Sequence, residues 1–348
     1  MAGRLKLRRG TVVSADPLLV EVAGERRRAW ADEVLLGEIR EGDEVVVNVA
    51  ALDLGLGSGG FDVVHVNLTR GLDGDGVEGD AHVMKLNYTS LQHPVEPEER
   101  SETHLFLSGS KKRKGTDKAG LGLQVVVLPL HGHLAPAAWA AGRAAPGLRV
   151  GYVQTGGGAL PGSLSRDVAE LRERGLLAGH LTAAPAYGGE GEVLSVVGAL
   201  DAAPGLGWDA VLVGPGPGII GSDTAYGHGG MAALDNAHAG LGLGLPTALS
   251  PRLSSADPRD RHRGLSHHTR TVLDLLLAPV DVALPESAPE IASILAGSEH
   301  RLHPMPADLD GYGASGLPTN SMGRSLEEDP LFFSAPLAAG TFLASRGL

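Results

Sequence analysis

Between Asp257 and His268 the chain carries two aspartates, three arginines and three histidines. Apolar blocks flank this island, residues 241–249 before it and 272–277 after it. Carboxylate, guanidinium and imidazole together can bind an anion, move a proton or hold a metal. If residues 259–263 are extended, Arg259, Arg261 and Arg263 share one side and Asp260 and His262 the other. Three guanidiniums on one face repel one another unless an anion joins them, and the planar fork of arginine suits phosphate and carboxylate.

Ser266 reads as a helix N-cap, because leucines and a valine follow at helical spacing and Pro279 stops the run. His267, His268 and Thr269 then occupy the first turn, where free N–H groups and the positive dipole end favour anions and neutral imidazoles. The two signals agree on an anion site built from Arg259, Arg261, Ser266 and His267. His262, His268 and Asp257 are its catalytic candidates. Two alternatives stay open. One is a metal site using His262 and Asp260 with their neighbours. Against it, adjacent His267 and His268 diverge by roughly 100° around a helix. The other is a purely structural role, with the arginines paired to Asp257 and Asp260.

Stepping outward, the elements that must position this stretch change character along the chain. Residues 5–67 show short strand-like runs broken by turn signals, including Leu18 to Val22, Glu44 to Val49 and Phe61 to Val66. They predict a small β-barrel or sandwich over residues 1–67. Its basic run, Arg26 to Arg28, lacks interleaved aromatics, which argues against nucleic acid as a ligand and favours a structural or docking module. Residues 68–82 read as a linker; their acid–glycine run lacks the glutamate of a calcium loop. Lys111 to Lys114 reads as a solvated loop.

From Leu123 apolar strands alternate with helices, which predicts an α/β domain over residues 83–298 with a mostly parallel sheet and helices on both faces. The tail, residues 299–348, is expected to pack loops and a helix on that domain. Strands at Val125, Leu148 and Asp209 precede helices, one of them capped by Ser165. Ser287 is expected to cap another, and Pro336 to interrupt the last. Ligands in such sheets sit beyond the carboxyl ends of strands. Two glycine-rich loops fall there and join the anion-site candidates through Gly156, Gly157, Gly158, Gly216 and Gly218. Prolines 215 and 217 remove N–H donors, so the second loop is not a dinucleotide fingerprint. Asp223, Thr224 and His228 follow it as further polar candidates. No Gly-x-Ser-x-Gly elbow supports serine catalysis.

Of 348 residues 43% are hydrophobic and only 4% aromatic, so the core must be aliphatic. A formal charge of −12 argues against general nucleic-acid binding. With no cysteine there is neither disulfide nor thiolate chemistry. No apolar run reaches membrane-spanning length and the start lacks a signal-peptide core, so a cytoplasmic protein is expected, with homo-oligomers open.

Four blocks, Thr155-Gly-Gly-Gly-Ala-Leu-Pro, Gly216-Pro-Gly-Ile-Ile-Gly-Ser, the run from Ala256 to Thr269 and Met322-Gly-Arg-Ser-Leu-Glu-Glu-Asp-Pro, resemble the bacterial proteins of domain-of-unknown-function family 3866. The resemblance extends to Asn48-Val-Ala-Ala-Leu-Asp-Leu-Gly-Leu-Gly-Ser-Gly-Gly and so covers nearly the whole chain. It implies no activity, cofactor or catalytic residue. The residues themselves favour an enzyme acting on a small phosphorylated or carboxylated molecule, with a non-catalytic metabolite-sensing or protein-interaction role as the alternative.

Overall fold

A computed structural model describes residues 4–57, 59–72, 81–100 and 122–345. The acid–glycine run from residue 73 to 80 and the basic run Lys111 to Lys114 lie outside the described residues. The chain divides into two compact units, Met1–Pro94 and Val95–Leu348.

The first unit contains a closed five-stranded barrel of β1 (Leu7–Ala15), β2 (Leu18–Val22), β3 (Glu25–Trp30), β4 (Glu44–Asn48) and β5 (Asp62–Asn67), in the order β1-β2-β3-β5-β4. Two short helices, α1 (Glu33–Leu36) and α2 (Ala50–Leu54), sit in its connections. Inward residues such as Val12, Val20, Val45, Val47 and Val64 form its core. Strand β3 was not legible as one, since its sequence is Glu-Arg-Arg-Arg-Ala-Trp. Backbone pairing and ion pairs hold it in place of apolar alternation: Arg27 reaches Asp62 at 2.5 Å and Asp53 at 2.6 Å. Two three-residue strands, β6 (Val83–Lys85) and β7 (His93–Val95), follow.

The second unit is organised on an eight-stranded parallel sheet. Its strands are β8 (Gln124–Val127), β9 (Val150–Thr155), β10 (Gly179–Ala183), β11 (Gly191–Val193), β12 (Ala210–Pro215), β13 (Thr247–Leu249), β16 (Asp281–Pro285) and β17 (Arg301–Met305). Their order is β11-β10-β9-β12-β8-β13-β16-β17, and each neighbouring pair runs parallel. Strand β17 lies within the segment expected to be tail. Period-two alternation sends Val125 and Val127 to one face and Val126 and Leu128 to the other. The first face is covered by α5 (Val196–Ala202), α6 (Ala232–Gly242), α7 (His267–Leu275) and α8 (Pro289–Leu295). The second is covered by α3 (Leu134–Ala144), α4 (Arg166–Glu173), α9 (Leu309–Gly313) and α10 (Pro330–Ser345). Because both faces are buried, the strands read as continuous apolar runs.

Two helix expectations are corrected. Helix α8 starts one residue later than Ser287 would place it, with Ala288 at the cap and Pro289 inside the start. Proline's fixed φ and missing N–H suit the first helical position and set the boundary. Helix α10 runs through Pro336 without a break. Nearly every side chain from Phe332 to Ala344 is buried, and that packing outweighs the ~3 kcal/mol an interior proline costs. The Ser165 cap is as expected, its hydroxyl accepting from the Val168 N–H at 3.1 Å. No helix among the described residues is long and apolar enough to cross a membrane.

One glycine in the sheet is there for space. A Cβ built on Gly151 of β9 would lie 1.8 Å from Trp208 Cε3. Gly151→Ala is expected to destabilise the fold by about 3 kcal/mol, since overfilled cores cost roughly 1–3 kcal/mol or more. A urea transition whose midpoint matches wild type would contradict that packing.

Candidate functional site

In chain order β8 leads outward to β9, β10 and β11, whereas β12 leads back across β8 to β13 and on to β16 and β17. The direction of winding therefore reverses around β12, β8 and β13. A crevice must open beyond their carboxyl ends, and ligands settle in such crevices. A cavity of about 660 Å³ lies there. Leu130, His131 and Gly132 after β8 line it, with Pro217 to Gly221, Asp223, Thr224 and His228 after β12 and Arg252 after β13. The central stretch adds Arg259, Arg261, His262, His267 and His268, and the tail adds Pro318, Asn320, Ser321 and Met322.

The central stretch is held by a small hairpin. Strands β14 (Leu253–Ser254) and β15 (Gly264–Leu265) pair antiparallel and pinch off the intervening loop. That loop is not extended: Asp260–His262 form a 3-10 turn. The three arginines consequently do not share a face, and each finds a different carboxylate. Arg259 donates to both oxygens of Asp257 at 2.9 Å, Arg261 pairs with Asp223, and Arg263 lies 3.4 Å from Asp260. Arg259 and Arg263 thus pair within the stretch, whereas the Arg261 partner comes from the loop after β12.

The residue that sequence reasoning passed over is Arg252. It is only 2% exposed yet lines the cavity. Its guanidinium donates to His268 Nδ1 at 3.1 Å and to Asp257 at 3.4 Å. Asp257, fully buried, also receives Arg259 and, at 3.4 Å, Arg324. Burial works against its charge, but the hydrogen bonds and charge of Arg259 hold its carboxyl well below the usual range. Arg252 is pushed down to about 10 by burial and by the charge of Arg259, with Asp257 pulling the other way. Arg324 in turn bonds Asp329 at 2.9 Å, and Asp329 accepts from Ser254 and Ser255. Two hairpin strands, β18 (Asn320–Ser321) and β19 (Arg324–Ser325), present Met322 at the cavity and Arg324 at this ion cluster. The only available hint of Arg252 was its place three residues beyond an apolar strand. Arg324 and Asp329 lay in the Met322 to Pro330 block.

Ser266 caps α7 as expected, its hydroxyl oxygen accepting from the His268 N–H at 3.2 Å. The same oxygen is 2.7 Å from His262 Nδ1. Ser266 is fully buried. His262 is pushed down to about 3 by burial, with Arg252 and Arg259 adding. His268 is pushed down to about 2 by burial, with His228 and Arg252 adding. Burial also lowers His228 and His267. All four rings are therefore neutral near pH 7.

The divergence expected of His267 and His268 is corrected. Their ring centroids are 4.4 Å apart, and His228 stacks on His268 at 3.5 Å with planes 7° apart. Side chains of a first turn lean back over the helix end, because Cα–Cβ bonds tilt toward the N-terminus. The loop after β12 brings His228 onto that end. Asp260, by contrast, is exposed while His262 is buried, and neither belongs to the cluster of His228, His267 and His268.

Among the glycines, Gly218 and Gly221 reach the cavity wall. Gly156, Gly157, Gly158 and Gly216 pack loop against loop: a Cβ on Gly158 would meet the Gly216 oxygen at 2.1 Å, and one on Gly157 the Gly229 oxygen at 2.4 Å. Thr224 stabilises its own loop, accepting from the Gly227 N–H at 3.0 Å. On the far wall His131 lies 2.8 Å from Ser165, with Asp167 alongside at 3.9 Å.

No curated protein and no solved structure matches the chain. Residues 28–340 match one family model, and every block that resembled it, from Asn48 to Pro330, falls inside that span. The chain belongs to the family of proteins of unknown function DUF3866.

Proposed function

We propose that the cavity binds a small phosphorylated or carboxylated molecule and that the chain acts on it as an enzyme. The observation that carries this reading is the charge balance around Arg252. Among the described residues Arg252, Arg259 and Arg324 gather on Asp257, and Asp329 alone relieves Arg324 further. One guanidinium charge is left over, and it belongs to a buried side chain that borders open space. A buried cation short of countercharge is costly, and an anion entering the cavity would supply it. The N-terminus of α7 adds its dipole to the same wall. Arg261 stands at the rim, already paired to exposed Asp223, and would serve capture more than tight binding.

Neutral His268 and His262 are the proton-handling groups of this reading. His268 has its Nδ1 lone pair engaged by Arg252, so its proton sits on Nε2 as a donor. Negative charge brought by a ligand raises the affinity of both rings for protons. Substrate binding would thereby turn weak bases into useful ones.

The test is a melting series on wild-type protein with inorganic phosphate, simple phosphate monoesters and small carboxylates, each followed by product analysis. A saturable rise is expected for at least one anion, reaching about 2.7 kcal/mol at a hundredfold excess over Kd. Conversion of that compound supports the enzyme, whereas stabilisation without product points to sensing. No response to any anion would sink the proposal.

A further inference from the structure

Lone pairs converge behind this cavity wall. One ring nitrogen from each of His228, His267 and His268 can be chosen so that all lie within 4.8 Å of one another. Nδ1 of His228 and Nε2 of His267 are buried and have no hydrogen-bond partner among the described residues. Such orphaned atoms are few in a native interior and call for an occupant. The tautomer of His228 is legible: its Nε2 lies 3.1 Å from the Ala225 carbonyl oxygen, which can only accept. Nε2 therefore carries the proton and Nδ1 is bare. A ring held through one N–H by a backbone carbonyl, with the other nitrogen presented bare, is how metal-binding histidines are oriented.

We propose that His228, His267 and His268 together bind one divalent transition-metal ion, zinc being the ion that three imidazoles suit best, with the remaining coordination position open to the cavity. This inference stands on the three rings and not on the anion reading. Arg252 opposes the ion in two ways, by its charge and by occupying His268 Nδ1. Ligation through Nδ1 must displace the guanidinium. Ligation through Nε2 needs the other tautomer, whose Nδ1–H would face an arginine donor. Either route breaks the Arg252–His268 bond and frees a donor for an anion at the open position, and with the ion bound His262 alone remains to handle protons. Metal and anion should then favour each other.

The full chain is stripped with chelator and dialysed against Co2+, whose visible absorption reports its ligands, and against Zn2+ with elemental analysis. One equivalent is expected in wild type and in His65→Ala, a histidine of the barrel. His228→Ala and His267→Ala should each weaken binding by more than about tenfold, the least that even outer partners of metal ligands contribute. Circular dichroism shows whether each variant is folded, and either folded variant suffices. Arg252→Met should bind metal more tightly while losing phosphate, which separates this inference from the anion reading. Wild type without one equivalent and its cobalt spectrum would overturn the site. So would undiminished metal in a folded His228→Ala or His267→Ala variant, or weaker metal binding in Arg252→Met.

Discussion

Arg252→Met is expected to weaken inorganic phosphate binding by roughly ten- to a hundredfold while leaving the fold intact. Each charge-assisted hydrogen bond contributes about 1.5–3 kcal/mol, and about 1.4 kcal/mol is a factor of ten. Methionine keeps much of the buried volume and supplies no charge. Asp257 retains Arg259 at 2.9 Å and Arg324 at 3.4 Å, so the carboxylate is not stranded. Arg261→Ala should cost less, because Arg261 is half exposed and must leave Asp223 to reach a ligand. Calorimetric titration of both variants with phosphate ranks them. Equal affinity in Arg252→Met and wild type would remove the central support for the anion site.

The largest expected effect on stability is acid sensitivity beginning well above the carboxylate range. His133 and His180 are 0% and 4% exposed and lie in the interior of the α/β unit. His133 is pushed down to about 3 by burial, with the charge of Arg252 adding, and His180 down to about 4, mainly by burial. Unfolded, each has a pKa of about 6.5. As pH falls below that value the unfolded chain takes up protons that the folded chain refuses. Their contribution is therefore complete above about pH 6.5 and is lost progressively as pH falls toward the folded values. At pH 5 each costs about 2 kcal/mol, against a total stability of roughly 5–15 kcal/mol for a typical domain. The buried carboxylates Asp257 and Asp329 are held below their ordinary value and act only at lower pH. Melting followed by tryptophan fluorescence, through buried Trp139 and Trp208, should fall steeply between pH 6.5 and 5. A flat melting temperature across that window would show that these rings protonate without unfolding.

Much of the architecture was open to reading from local rules. Apolar runs such as Val125 to Leu128, each followed by a helix, dictate a sheet buried on both faces. Ser165 and Ser266 announce their helices because an N-cap oxygen needs only its own next turn. The location of the site was legible for the same reason: charge and imidazole are concentrated in one short segment whose neighbours are apolar. What local pattern misjudged was set by packing at a distance. Pro336 sits in a helix because surrounding side chains hold it there, and Arg27 makes a strand with Asp53 and Asp62 far along the chain.

Partners within the site belong to tertiary structure alone. Arg261 meets Asp223 across 38 positions, Ser254 meets Asp329 across 75, and neither distance has a local signature. His228 joins His267 and His268 because winding reverses near β8 and brings the loop after β12 against the start of α7. Arg252 lacked any periodic or motif signal. Its importance comes from burial beside a cavity with a shared counterion, and burial of a polar residue is decided by the elements that close over it. Sequence determined which residues could do chemistry and on which segment they lie; only the fold decided which charges pair with which and which side chains line the cavity.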